Sequence, residues 1–297
     1  MLHEGHLPVP DPAAGEVRVR VHATSVNAID TVLRSGKLRL VTGGRFPRGV
    51  GLDFAGVVDA SAAAAYAPGD RVWGTIPNHP RTPAGTAAEF LVTTPAHLAP
   101  APPDTDLADL AALPGVGVTA LIALRDHAQL QKGQTVLVRG AAGGFGTAAL
   151  QLARAAGARV TALASARHLP ALRDLGADAV LDRATTDPAG LPHFDVVLDA
   201  AGTGLPAYRR RAGRTVTIAW GSLPALATIA VSTIHGAGRI RSFSASLTHA
   251  DLAQLTDHVT RGDLRPVIAG RFPLAQAAAA HAAFERGGAL GKWLIDT

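Results

Sequence analysis

The sequence predicts an α/β protein: a doubly wound parallel sheet joined to a second, mostly-β part. Three observations carry this. From Gln134 onward, strand-like apolar runs alternate with helical ones, as in "QTVLVR", "TAALQLARAAG" and "ARVTALAS". That rhythm requires a parallel sheet covered on both faces. Four glycines fall between Gly140 and Gly146, where a strand gives way to a helix. The first third of the chain instead shows short strands separated by Pro and Gly.

Taken in order, "EVRVRVHAT" alternates apolar and polar residues and predicts a half-buried strand. "DFAGVVDA", "GDRVWG" and "TAAEFLVT" are further strands. Helical spacing begins at Leu107, with Pro114 and Gly115 dividing two helices. After the glycine turn come a helix ended by Gly157, the strand "ARVTALAS" and a helix ended by Gly176. The strands "DAVLD", "FDVVLDAAG" and "GRTVTIAWGS" follow. From His249 the order is a helix, a strand near "PVIAGRF", an alanine-rich helix to Arg286 and a last strand, "GKWLIDT". Domain limits of 1–113, 114–248 and 249–297 follow from these changes of pattern.

Composition narrows the function. With 47% hydrophobic and 17% charged residues the chain carries enough apolar surface to fold. No apolar stretch reaches the ~20 residues of a membrane helix. The start, "MLHEGHLPVPDP", lacks the basic and apolar regions of a secretory signal, so a cytoplasmic location is the expectation. Cysteine is absent, which excludes disulfides, thiolate chemistry and Cys-ligated zinc. The net charge of +5 comes from scattered arginines without interleaved aromatics, so neither nucleic acid nor membrane is an expected partner.

The turn Gly140-Ala141-Ala142-Gly143-Gly144-Phe145-Gly146 lies at a strand-to-helix junction, where backbone N–H groups are unpaired and the dipole is positive. Bare backbone there admits a pyrophosphate, and the flanking strand, helix and second strand are the context a dinucleotide site requires. NAD sites carry an acid at the end of the second strand, ~20 residues past the glycines. Here that end is Leu163-Ala164-Ser165-Ala166-Arg167. Ser165 offers a hydrogen bond and Arg167 a guanidinium suited to a 2′-phosphate, so NADPH is the expected cofactor.

The segments "SVNAIDTVLRSG", "GVGLDFAGVV", "PGDRVWG", "AALPGVGVTAL", "AAGGFGTAALQLARAAGARV" and "RDLGADAVLD" occur in one order. In this the chain resembles the medium-chain dehydrogenase/reductases, most of all their zinc-free quinone oxidoreductase branch. The resemblance implies a GroES-like catalytic domain made from both ends of the chain, a Rossmann domain between, and a cleft where NADPH meets the substrate. It places Asn27 and Thr119 by the nicotinamide and Asp30 in the same Asn-x-x-Asp loop. It also implies that donors steady the developing enolate or semiquinone oxygen. In zinc-dependent relatives a Cys ligand falls at Asn27, and a Gly-His-Glu at Gly51-Leu52-Asp53, so no metal is expected. Relatives often carry an active-site Tyr where this chain has Val32 or Leu38. Its tyrosines are Tyr66 and Tyr208, and His79 is the candidate proton donor instead.

Two activities fit these residues: NADPH-dependent reduction of a quinone or other conjugated carbonyl, and reduction of an enoyl intermediate. NADPH binding without turnover, as in crystallin-like relatives, is a third reading. A homodimer is expected through an edge strand, "GRIRSFSAS" at 238–246.

Overall fold

The computed structural model describes residues 2–36, 49–77, 85–219, 240–245 and 247–297. They form two compact units. One comprises Met1–Val118 with Leu247–Thr297, the other Thr119–Ser246. The division falls between Val118 and Thr119, inside a helix spanning Pro114–Ile122, rather than at Pro114. Pro114 opens that helix, where its missing N–H costs nothing.

The first unit holds a seven-stranded sheet. Its strands are β1 (Val17–Ser25), β2 (Asp53–Ser61), β3 (Arg71–Thr75), β4 (Phe90–Thr93), β5 (Leu98–Pro100), β12 (Ile268–Pro273) and β13 (Lys292–Asp296). β1 follows the predicted alternation: Val17, Val19 and Val21 are buried, and Arg18 pairs outward with Asp59 at 2.7 Å. The inward residues pack with Phe54, Val58, Val72 and Leu98 into one core. Burial of each such side chain contributes roughly 1.5–3 kcal/mol. β5 is too short to stand out in the sequence. β1 also pairs antiparallel with β13, Ser25 opposite Leu294, so the two ends of the chain share one sheet.

The second unit is a parallel six-stranded sheet. In chain order its strands are β6 (Thr135–Arg139), β7 (Arg159–Ala164), β8 (Ala179–Asp182), β9 (Phe194–Asp199), β10 (Ala212–Thr217) and β11 (Ile240–Ser242). The spatial order β8-β7-β6-β9-β10-β11 reverses direction between β6 and β9. This is the 3-2-1-4-5-6 order of the Rossmann fold, whose ligands lie beyond the strand ends at the reversal. Val136, Leu137 and Val138 are fully buried, as a strand covered on both faces must be. β11 lies at the edge as expected but covers only Ile240–Ser242; 238, 239 and 246 fall outside the described residues. No described helix is long and apolar enough to cross a membrane.

Candidate functional site

The glycine turn sits at the point of strand reversal. It follows β6 and opens the helix Gly144–Ala155, whose inner face, with Phe145, Ala148, Ala149 and Leu152, recurs at helical spacing. Each of three glycines meets a different need. Gly140 takes φ +73, which L side chains avoid. A Cβ on Gly146 would lie 2.3 Å from the Gly140 carbonyl oxygen, so only glycine lets the helix approach β6 this closely. Gly143 is under neither constraint: its φ is −73, and a Cβ there would meet only the Gly140 oxygen, at 3.5 Å. The absent side chain leaves open space over Ala142, Gly143 and Gly144, which are accessible while Ala141, Phe145 and Gly146 are buried. A helix start with an open backbone above it fits a pyrophosphate.

Beyond β7, Ser165 precedes a short turn at Ala166–His168 on which Arg167 is exposed. Asp182 ends the neighbouring β8, where its carboxylate accepts from the Ala184 amide at 3.1 Å. Thr119 is half-buried on the Pro114–Ile122 helix.

Sequence reasoning missed an ion pair beside the turn. Arg139, the last residue of β6, pairs through Nη1 with Asp199, the last of β9, at 2.6 Å. The two are 4% and 0% exposed. Asp199 also accepts from the amides of Ala201 and Gly202 and from Thr217 Oγ1. The Arg139 guanidinium donates to the Thr203 carbonyl and stacks on Tyr208 at 3.8 Å. The pair thereby fixes the chain leaving β9.

In the first unit, Asn27 and Asp30 belong to a buried polar cluster. Asn27 precedes the short helix Ala28–Arg34, and its backbone N–H donates to Asp30 Oδ2 at 2.7 Å. Its side-chain amide turns elsewhere: Nδ2 donates to Asp53 Oδ2 at 2.9 Å, and Oδ1 accepts from Lys292 Nζ at 2.5 Å. Asp53 accepts also from Ser25 Oγ and the Gly115 amide, each at 2.9 Å. A Cβ on Gly115 would come within 2.7 Å of that carboxylate, so the close approach requires glycine. Lys292 Nζ donates to the Val26 carbonyl at 2.8 Å and lies 4.0 Å from Asp53. Gly115 and Lys292 gave no signal in the sequence as members of a site, and Asp53 stood out only as the position where zinc-dependent relatives carry the Glu of a Gly-His-Glu.

The cluster holds two carboxyls and one ammonium. Burial pushes the Asp30 carboxyl up to about 7, reinforced by the Asp53 charge and opposed by the Asn27 amide and Lys292. Burial likewise pushes the Lys292 ammonium down, against Asp53 and Asp30. Asp30 therefore binds a proton more tightly folded than unfolded, a contribution complete below about pH 4 and lost as pH rises through about 7. At about 1.4 kcal/mol per unit, its ceiling is on the order of 4 kcal/mol. Asp30→Asn should keep the backbone acceptor and flatten the fall in thermal stability between pH 5 and pH 8. Parallel melting curves for the two proteins across that range would contradict the assignment.

His79 and Leu38 fall outside the described residues. Tyr66 donates to the Leu98 carbonyl, and Tyr208 lies under Arg139, so neither tyrosine joins the polar cluster. No group of three or more His, Cys, Asp or Glu suited to a metal occurs among the described residues. Around Asp53 the donors are an amide, a hydroxyl and an ammonium. A cation already faces that carboxylate, and the set does not fit zinc.

Residues 13–103 match the alcohol dehydrogenase GroES-like domain family, and 175–295 match the zinc-binding dehydrogenase family. A chloroplast envelope quinone oxidoreductase homolog of Arabidopsis thaliana is 32% identical over 99% of this chain and 94% of its own. The solved quinone oxidoreductase of Coxiella burnetii superposes with a TM-score of 0.85 at 28% identity, over 98% of this chain and 93% of that one. A mycobacterial protein solved with NADPH superposes at 0.80 and 26% identity, over 99% and 94% of the two chains.

Proposed function

We propose, on the premise that this chain belongs to the medium-chain dehydrogenase/reductase superfamily in its zinc-free quinone oxidoreductase-like branch, that it is an NADPH-dependent reductase of quinones or other conjugated carbonyls. The observation that carries the reading is Gly143, whose missing side chain leaves open space above a helix start where neither φ nor packing demands glycine.

Within the turn Gly140–Gly146 the accessible backbone at Ala142, Gly143 and Gly144 would hold the pyrophosphate, with Ser165 and Arg167 at the 2′-phosphate and Thr119 toward the nicotinamide. When bound, NADPH supplies a hydride. The half-buried Asn27 directs one N–H of its amide to Asp53, and the other would serve the substrate oxygen. Asp30 holds a proton near neutral pH, at a carboxyl bonded to the Asn27 backbone. Incubation of the pure protein with NADPH and a panel of quinones and enones tests the reading. Oxidation with quinones supports it, oxidation confined to enoyl thioesters favours the enoyl-reductase alternative, and tight binding with no turnover contradicts it.

The preference for NADPH rests on Arg167, together with Ser165 at the strand end where NAD sites carry an acid. A charge-assisted phosphate contact is worth ~1.5–3 kcal/mol, so Arg167→Ala should raise the NADPH Kd roughly 10- to 150-fold and leave NADH binding nearly unchanged. Equal losses for both, measured by calorimetry, would reject the assignment. The proposed assembly is a homodimer through the edge of the parallel sheet at β11. Light scattering that finds a monomer at micromolar concentration would refute it.

A further inference from the structure

We propose that Lys292 is a positioning residue for the reaction: its buried ammonium fixes the Asn27 amide in one orientation, with one N–H held for the substrate oxygen. This rests on the reading of Asn27 as the donor to that oxygen.

A side-chain amide can turn by half a revolution and exchange its donor for its acceptor. Either orientation fills the same space. At Asn27 the two neighbours are opposite in kind. Lys292 Nζ has only protons to give, and it stands 2.5 Å from Oδ1. Asp53 Oδ2 stands 2.9 Å from Nδ2. Turned over, the amide would press its N–H groups on an ammonium and its oxygen on a carboxylate. Both hydrogen bonds would be lost and two repulsions created. An oxygen would also face the place where the substrate's reduced oxygen needs a donor.

Lys292 is held independently of Asn27. It begins β13, its own amide donates to the Val267 carbonyl at 2.9 Å, and its ammonium donates to the Val26 carbonyl. Asp53 is likewise fixed by Ser25 and Gly115. The amide is thus clamped between two anchored charges. Stability alone does not call for the arrangement. A lysine 5% exposed at the head of an apolar strand loses hydration that a nonpolar side chain of similar volume would not. Among the described residues the ammonium hydrogen-bonds only to Val26 and Asn27, and a methionine would fill the strand position.

The test is a double-mutant cycle on the whole protein, read as kcat with NADPH and a reactive quinone. Asn27→Ala should lower kcat roughly 10²-fold, as removal of an oxyanion donor does. Lys292→Met should lower kcat by a comparable factor with little change in quinone KM or NADPH Kd. The double variant should be no slower than Asn27→Ala, because Lys292 acts only through the amide. Losses that multiply would overturn the proposal, since independent sites behave that way. Where Lys292→Met does not fold, side-chain amide NMR of the wild type decides, with the Asn27 peaks assigned by their loss in Asn27→Ala. One N–H peak shifted far downfield and protected from solvent exchange by Asp53, with the other near its ordinary position, is expected. Both peaks at the positions of a solvated asparagine would overturn the proposal. A wild type inactive with every quinone and enone removes the functional reading itself, which sets that failure apart from a failure of Lys292 in an active enzyme.

Discussion

Gly143→Val is expected to abolish NADPH binding and leave the protein folded. The backbone there, φ −73 and ψ 167, is one valine adopts readily. Its Cβ would stand 3.5 Å from the Gly140 oxygen, an ordinary contact. The two methyls would then occupy the space over the helix start that a pyrophosphate needs. Gly146→Ala is the contrasting variant: its Cβ would fall 2.3 Å from the same oxygen and 2.6 Å from Ala141 Cα, so the turn itself must shift. Calorimetry and thermal unfolding should separate the two, Gly143→Val losing affinity at near wild-type stability and Gly146→Ala losing stability. A folded Gly143→Val protein with normal NADPH affinity would contradict the assignment of the turn.

Asp199→Ala should cost about 3–5 kcal/mol of stability, the usual penalty for leaving one member of a buried ion pair unpaired. The remaining Arg139 guanidinium is 4% exposed, and the amides of Ala201 and Gly202 lose their acceptor together with Thr217 Oγ1. The melting temperature should fall by roughly 10 °C. Arg139→Met in the Asp199→Ala background removes the stranded charge and should recover much of the loss. Unchanged melting of Asp199→Ala would show that the pair does not hold the β9 end.

The repeating strand and helix were legible because burial on both faces leaves an unbroken apolar run, as at Val136, Leu137 and Val138. The glycine turn was legible because its need for bare backbone is local. Its division of labour was not: only the neighbours of each Cβ show that Gly146 serves packing and Gly143 an open space. The polar cluster was half visible. Ser25, Asn27 and Asp30 lie close in sequence, but Asp53 joins them only through the pairing of β2 with β1, and Lys292 only through that of β13 with β1. A lysine opening "GKWLIDT" has the pattern of an exposed strand end, and only that pairing buries it. The Arg139–Asp199 pair was hidden for the same reason, since the adjacency of β6 and β9 follows from strand order.

Hydride transfer without a metal is tested most directly on protein dialysed exhaustively against a chelator, by the rate of NADPH oxidation with a quinone. Asp53 already faces the Lys292 ammonium, and the residues around it offer amide, hydroxyl and ammonium groups. The expected result is a rate equal to that of the untreated protein and insensitive to added zinc. A rate lost on dialysis and restored by zinc would contradict it.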